Sequence, residues 1–165
     1  MNIIKGEKMN PDSMFAVQLS ENENYATPLD FFKKLDKEFH FTLDPCSDDL
    51  NYKCTKHYTR FDDGLSKSWE NETVFMTPPY GRIIPLWVEK AYKESKKHQI
   101  IIVGLLPARI DTKWFHDFCL KSCEIRFIKG RLKFGDSGQS APFANILVIW
   151  DGIHEQPFLS SINAK

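Results

Sequence analysis

A strand-like run of apolar residues ends in two prolines within VFMTPPYGR, residues 74–82. Because proline fixes its own backbone and restricts the residue before it, Thr77 and Pro78 are expected to be held rigidly. A rigid loop presents its carbonyl oxygens in fixed directions, Tyr80 adds a flat aromatic ring, and Gly81 leaves the backbone approachable. This segment could therefore hold a planar aromatic amine, with the Thr77 side chain and the Pro78 carbonyl as acceptors.

Such hydrogen bonds would change the reactivity of the amine. The lone pair of an exocyclic amine such as adenine N6 is delocalised into the ring, which makes the nitrogen a weak nucleophile. Two acceptors would draw the nitrogen toward a tetrahedral shape, so that it could attack an electrophilic methyl group. A base could reach the pocket only if it were single-stranded or flipped out of a duplex. The alternatives are an ordinary turn or a polyproline ligand for a WW-type module, and the preceding apolar strand favours an internal site.

Length and composition indicate one globular domain. The chain has 165 residues, of which 42% are hydrophobic and 27% are charged, enough to bury one sizeable core. Its start lacks the apolar centre of a secretory signal, and the longest apolar run, 100–106, is too short to span a bilayer. We therefore expect a cytoplasmic protein with a flexible lead-in over residues 1–22, a single domain over 23–152 and a tail over 153–165.

The charge balance does not by itself predict a nucleic-acid-binding protein. There are 22 basic and 22 acidic residues, so no net field would attract a polyanion. Five basic residues nevertheless fall within 121–133 against the single acid Glu124. This local excess suits phosphate contacts, and a solvated strand and hairpin face is the alternative.

The spacing of the cysteines is not typical of a metal site. They stand at positions 46, 54, 119 and 123, without paired C-x-x-C spacing. Two sets of zinc ligands can be written down: His116 with Cys119 and Cys123, or Cys54 with His57. Zinc needs about four converging ligands, and the helical stretch around Cys119 has the pattern of a core face. We predict no metal.

Helical and strand patterns alternate along the chain. Helices are predicted over 26–39, 85–97 and 112–122, and strands over 39–45, 73–77, 99–107, 123–128 and 144–150. Thr27 is placed to cap the first helix and Pro28 to open it. This order predicts an α/β sheet that ends in an antiparallel pair. The strand ends at Asp44, Thr77 and 107–109 should then meet at one rim, where open α/β sheets bind ligands.

Six blocks of sequence between residues 24 and 150 resemble the phage-type DNA N6-adenine methyltransferase family, centred on TPPYG and including YATPLDFF, LLPARIDTKWFHDF and APFANILVIW. The resemblance implies a Rossmann-like methyltransferase fold, with a mostly parallel sheet, an antiparallel C-terminal strand and helices on both faces. It implies S-adenosyl-L-methionine as methyl donor and site-specific N6 methylation of adenine in DNA. The expected protein is a monomer or homodimer in a bacterial cell or phage-infected host, protecting DNA from restriction or marking it in a similar way.

The resemblance also assigns roles to particular residues. The catalytic motif is Thr77, Pro78, Pro79 and Tyr80, and the cofactor residues are Tyr25, Ala26, Thr27, Pro28, Asp44, Pro45, Cys46 and either Asp62 or Asp63. For Asp44, and for Asp62 and Asp63, a turn or loop cap is the alternative role. The candidates for contact with DNA are Arg82, Arg109, Arg131 and Lys133.

Two departures from common methyltransferase patterns bear on activity. A glycine-rich loop is absent after Asp44, as it is in the family that the chain resembles. Thr77 stands where Asn, Asp or Ser is usual, and threonine is short and β-branched with a stiff χ1. The departure at Thr77 makes a catalytically silent DNA-binding protein on the same scaffold one alternative. The other alternative keeps the cofactor and changes the amine, to RNA adenine or a glutamine amide.

Overall fold

The computed structural model describes residues 26–135, 138 and 140–165, and these residues form a seven-stranded sheet with helices packed against it. The helices are α1 (Leu29–Phe39), α2 (Ile84–His98) and α3 (Lys113–Phe118), which continues into a 3₁₀ turn at Cys119–Lys121. The strands are β1 (Leu43–Asp44), β2 (Lys56–His57), β3 (Val74–Met76), β4 (Ile102–Pro107), β5 (Glu124–Lys129), β6 (Asn145–Trp150) and β7 (Phe158–Asn163). Tyr25 and the predicted lead-in over 1–22 lie outside the described residues.

The strands lie in the order β2-β1-β3-β4-β6-β5-β7. The first four are mutually parallel, and β6 is antiparallel to both β4 and β5. The predicted α/β class and the antiparallel strand over 144–150 are therefore confirmed. This strand is not the last in the chain, however, because β7 follows within the expected tail and pairs in parallel with β5 at the sheet edge.

Two contacts show that helices cover both faces of the sheet. Phe32 of α1 packs edge-on against Phe75 of β3, with ring centroids 5.1 Å apart. Side chains of neighbouring strand residues point to opposite faces, so Met76 faces away from Phe75. Met76 and Trp150 lie close together on that second face, because both would contact a Cβ placed on Gly104. The Trp150 indole donates to the carbonyl at the end of α3 at 3.0 Å. The two faces are therefore covered by α1 and α3 respectively, and α2 packs beside α3.

Sequence patterns miss the strands that carry no regular apolar signal. All six residues of β4 are buried, as its continuous apolar run predicts. In contrast, β2 has only two residues, and Phe158 and Leu159 of β7 remain exposed. Residues 131–134 form no strand, and within the described part of the chain Lys133 and Ser140 form only an isolated bridge. Among the described residues, no helix has the length and apolar character that crossing a membrane would require.

Candidate active site

A pocket opens where the carboxyl ends of β1 and β3 meet the segment before α1. Its space, counted together with the open mouth, is about 360 Å³. Five of the predicted site residues line it, and so do five others that sequence reasoning did not select. The lining is formed by Ala26, Thr27, Asp44, Cys46, Ser47, Asp48, Asn51, Lys53, Phe75 and Thr77.

Asp44 supplies a buried carboxylate at the end of β1. Its side chain accepts hydrogen bonds from the backbone amides of Lys53 at 3.0 Å and Cys46 at 3.4 Å. Burial raises the pKa of Asp44 to about 6, although the two backbone hydrogen bonds and the charge of Lys53 oppose this. Each carboxylate oxygen can accept more than one hydrogen bond. Asp44 therefore retains acceptor capacity toward a cationic or hydroxyl-bearing ligand, most fully above pH 6.

The loop after β1 folds back over the pocket and brings in four of the five residues that were missed, and the fifth, Phe75, lies on β3. The Asp48 carboxylate accepts from the backbone amides of Leu50 and Asn51, both at 2.7 Å, and the Lys53 ammonium donates to the carbonyl of Asn51 at 3.2 Å. Loss of hydration lowers the pKa of Lys53. The sequence SDDLN is a local turn signal, but only the folded loop shows that its residues return to Asp44.

Thr77 is held by contacts from two other segments. Its hydroxyl oxygen lies 3.0 Å from the hydroxyl oxygen of Thr27. Its backbone lies next to the Cys46 thiol, and burial and the charge of Asp44 raise the pKa of that thiol well above its usual value. Pro78 and Pro79 are buried behind it. The rim thus joins three separate segments at one residue, Thr77.

The predicted capping role of Thr27 is wrong. Helix α1 begins at Leu29, the residue before it is Pro28, and no side chain caps its first turn. The hydroxyl that was expected to cap the helix faces Thr77 instead. Pro28 lies just outside the helix in extended conformation and is not among the residues that line the pocket in the described part of the chain.

Tyr80 is packed into the core beneath the rim. Its hydroxyl donates to the carbonyl of Leu105 at 3.0 Å and accepts from the Asn145 amide at 3.2 Å. The ring meets Phe134 and Phe143 at centroid distances of 6.0 and 5.5 Å. With 7% of the residue exposed, a base could stack on this ring only if neighbouring side chains moved. Stacking on Tyr80 stays a prediction.

The turn at Asp62 and Asp63 lies close to the loop after β1 without lining the pocket in the described residues. Asp62 is exposed and accepts from the amide and hydroxyl of Thr59, both at 2.8 Å, and these bonds lower its pKa. Asp63 adopts a left-handed φ of 53°. A Cβ on Gly64 would lie 2.1 Å from the carbonyl oxygen of buried Pro45, so the turn is packed directly on the loop. Contact of either acid with a cofactor stays a prediction.

The four basic residues chosen for contact with DNA are exposed. Within the ranges that the structure describes, none of them forms a salt bridge: Arg82, Arg109, Arg131 and Lys133. Arg109 lies in the turn after β4, where its amide donates to the carbonyl of Pro107 at 2.8 Å. Exposed cations of this kind are available to phosphates, and their contact with DNA stays a prediction.

The residues proposed as zinc ligands do not converge. Among the described residues, no group of three or more His, Cys, Asp or Glu side chains could hold a metal ion. Burial raises the pKa of the Cys54 thiol to about 12 and also raises that of Cys119 above its usual value. Since metals bind the thiolate, both cysteines are better suited to packing in the core, where each is buried.

Comparison with known proteins assigns the chain to a family. The family model for DNA N-6-adenine-methyltransferase (Dam) matches residues 16–165. The chain is similar to the DNA N-6-adenine-methyltransferase of Haemophilus phage HP1 (strain HP1c1), with 31% identity over 107 residues, 64% of this chain and 61% of the relative. It is equally similar to the enzyme of that name from Escherichia phage T1, with 31% identity over 110 residues, 66% of this chain and 45% of the relative.

The aligned segments thus span 61% and 45% of these two relatives' lengths. The family match is broader, because it covers residues 16–165 and so includes the pocket, the double proline and every described strand. The chain therefore belongs to the DNA N-6-adenine-methyltransferase (Dam) family.

Proposed function

We propose that this protein transfers a methyl group from S-adenosyl-L-methionine to the N6 amino group of adenine in DNA. One observation carries the proposal: the pocket places the buried carboxylate of Asp44 and the hydroxyl of Thr77 in one lining, directly before two prolines. The names of the family and of the phage relatives supply the substrate, adenine in DNA.

The chemistry of the pocket fits the proposed donor. S-Adenosyl-L-methionine carries an ammonium group, a carboxylate and ribose hydroxyls. Asp44 would accept from the ammonium or a hydroxyl, whereas the Lys53 ammonium and the Asn51 amide could meet the carboxylate. The donor has no phosphate, so the absence of a glycine-rich loop after Asp44 does not conflict with this fit. When bound, the donor supplies a methyl group activated by a positively charged sulfur.

The residues of the chain would act chiefly by positioning. The Thr77 hydroxyl and the Pro78 carbonyl would accept from the N6 amino group, holding its lone pair toward the methyl carbon. Pro78 and Pro79 restrict the backbone at this point, so the two acceptors keep a fixed separation. Alignment of this kind can account for several kcal/mol of a reaction barrier. As the bond from N6 to the methyl carbon forms, the bond from that carbon to sulfur would break, and the N6 proton would then pass to solvent water. No covalent attachment of the base to the protein is needed.

The remaining expectations belong to the same proposal. The single antiparallel strand in an otherwise parallel sheet supports a Rossmann-like methyltransferase fold. Arg82, Arg109, Arg131 and Lys133 would contact DNA, the target base would be flipped into the site, and Tyr80 would stack on it after movement of its neighbours. The protein would act as a monomer or homodimer in the cytoplasm, in protection from restriction or a similar marking role.

Thr77 favours one competing function. A residue other than Asn, Asp or Ser at this position is compatible with a catalytically silent DNA-binding protein on the same scaffold. Methylation of RNA adenine or a glutamine amide would use the same pocket with a different amine. These functions differ in whether the donor binds and in which polymer receives the methyl group.

Incubation of the purified protein with tritiated S-adenosyl-L-methionine and DNA, RNA or protein separates these functions. We expect label in DNA, recovered as N6-methyladenine after nucleoside digestion. Label found only in RNA or protein would replace the proposed substrate, whereas no calorimetric binding at millimolar donor would favour the silent protein. Replacing Thr77 with Asn should preserve or raise turnover if the protein is an enzyme.

A further inference from the structure

The contact between Thr27 and Thr77 joins two parts of the chain at the edge of the pocket. The two hydroxyl oxygens are 3.0 Å apart, and the residues are 50 positions apart in sequence. Thr27 is 5% exposed. The contact is supported from below, because Phe32 of α1 packs against Phe75, two residues before Thr77. The contact between the two threonines is therefore part of the packed structure.

A hydroxyl has one proton to donate and two lone pairs that accept. A target amino group offers hydrogens, so the Thr77 oxygen can hold it only if the hydroxyl proton points elsewhere. Thr27 provides an oxygen at hydrogen-bonding distance, 3.0 Å from the Thr77 oxygen. If Thr77 donates to Thr27, both lone pairs of Thr77 are left for the pocket.

The backbone of Thr77 is restricted independently of Thr27, so the side-chain rotamer is what remains to be fixed. Pro78 restricts the backbone conformation of Thr77, and both Pro78 and Pro79 are buried. A threonine χ1 has few allowed values, and the contact with Thr27 selects one of them. An Asn or Asp at position 77 would carry a ready acceptor, whereas Thr needs a partner for its proton.

We propose that Thr27 is a positioning residue. Its hydroxyl oxygen accepts a hydrogen bond from the Thr77 hydroxyl, so that the Thr77 oxygen is left to accept a hydrogen bond from the target amino group. This inference rests on the proposed function and deepens it. It gives Thr27 a role other than cofactor binding or helix capping. It also accounts for a threonine in the motif, because the two threonines act as one acceptor.

The test compares Thr27→Val, which removes the hydroxyl at nearly constant shape, with Thr27→Ser, which keeps it. We expect kcat for DNA methylation to fall about tenfold in T27V, the cost of one misdirected hydrogen bond, and to stay within about threefold of the parent in T27S. Calorimetric donor affinity should change less than about twofold in both. A tenfold loss of donor affinity with unchanged kcat would overturn the inference, because Thr27 would then contact the cofactor.

A double-mutant cycle tests the coupling directly. Adding Thr27→Val to Thr77→Val should cause little further loss of kcat if the two hydroxyls act as a unit. Independent, multiplicative losses would contradict the pairing. If T27V does not fold, as judged by thermal unfolding, Thr27→Ala takes its place with the same expected outcome.

A crystal structure of T27V gives a measurement that does not depend on activity. We expect Thr77 to occupy more than one rotamer in T27V and a single rotamer in T27S. A single, parental rotamer in T27V would overturn the inference even if the parent protein methylates DNA. If the parent does not methylate DNA, the proposed function fails, and the rotamer still decides whether Thr27 orients Thr77.

Discussion

The two halves of the sheet are built differently. Around the pocket, β1 and β2 have two residues each and β3 has three, whereas β4, β5, β6 and β7 have six each. In the long-stranded half, β4 and β6 pair at six positions and are buried throughout. In the short-stranded half, buried carboxylates accept hydrogen bonds from the backbone amides of loops. The pocket is therefore assembled from loops, and the longer strands provide the base beneath it.

Glu94 illustrates how the short-stranded half is held. Its buried carboxylate accepts from the backbone amide of Trp69 at 2.7 Å and from the Lys90 ammonium at 2.8 Å. The indole of Trp69 in turn donates to the carbonyl of Gly64 at 3.0 Å. This chain of bonds ties the turn beside Pro45 to α2. Single substitutions should consequently disturb the pocket half more than equivalent changes in the long-stranded half.

Two glycines, one in each half, give the sharpest test of this difference. Gly64→Ala places a Cβ 2.1 Å from the backbone oxygen of Pro45, whereas Gly104→Ala meets only side-chain ends, at 3.1 Å from Trp150 and 3.2 Å from Met76. We expect the free energy of unfolding to fall by about 3 kcal/mol for G64A and about 1 kcal/mol for G104A. Urea denaturation measures both. A larger cost for G104A would break the comparison.

The next largest effect is expected from loss of the carboxylate in the pocket. Asp44→Asn should weaken binding of S-adenosyl-L-methionine about 10- to 100-fold, since a charge-assisted hydrogen bond is lost. Isothermal titration calorimetry measures the affinity. Asp49→Asn is the matched control, because this carboxylate lies on the same loop but is 80% exposed and faces His57. Equal losses in the two variants would show that Asp44 has no specific role.

A smaller effect should follow from pH. Burial raises the pKa of Asp44 to about 6 from 3.8, so this group is a carboxylate above pH 6 and becomes protonated as the pH falls through 6. Donor affinity should therefore be about tenfold weaker at pH 5 than at pH 8. Calorimetry across this range is the measurement, and the part due to Asp44 should be missing in Asp44→Asn. An identical pH profile in that variant would contradict the assignment.

The smallest effect is expected outside the pocket. Arg131→Ala should weaken DNA binding about threefold at moderate salt and reduce the slope of log affinity against log salt by about 1. Fluorescence anisotropy with labelled duplexes measures both quantities. Lys93→Ala is the control, since Lys93 is also exposed but pairs with Glu89 on α2. If both variants lose the same affinity, Arg131 is not part of a specific DNA surface.

The sequence predicts best where one local pattern is sufficient. The continuous apolar run of β4 predicts its burial, and the i, i+3, i+7 spacing of Phe32, Leu35 and Phe39 predicts one apolar face of α1, on which Phe32 and Leu35 are buried. The strands β2 and β7 do not, because their pairing depends on neighbours that bring them to the sheet edges. Fold class is therefore predictable here, and the edge strands are not.

The site divides in the same way. Asp44 and Thr77 were predicted from the ends of recognisable strands and Cys46 from the family resemblance, and all three line the pocket. Lys53 and Asn51 were missed because they reach the pocket only after the loop folds back through Asp48. The burial of Tyr80 was also not predictable, since it depends on side chains far along the chain.

Cys46 carries a further consequence for chemistry beside a methyl donor. A sulfur anion is a much stronger nucleophile than a ring-conjugated amine, so an ionised cysteine at this edge would compete with the base for the methyl group. Burial and the charge of Asp44 keep the Cys46 pKa well above its usual value, and the thiol therefore stays protonated at neutral pH. If the proposed donor binds here, the environment that makes Asp44 a responsive carboxylate would also keep the protein from alkylating itself.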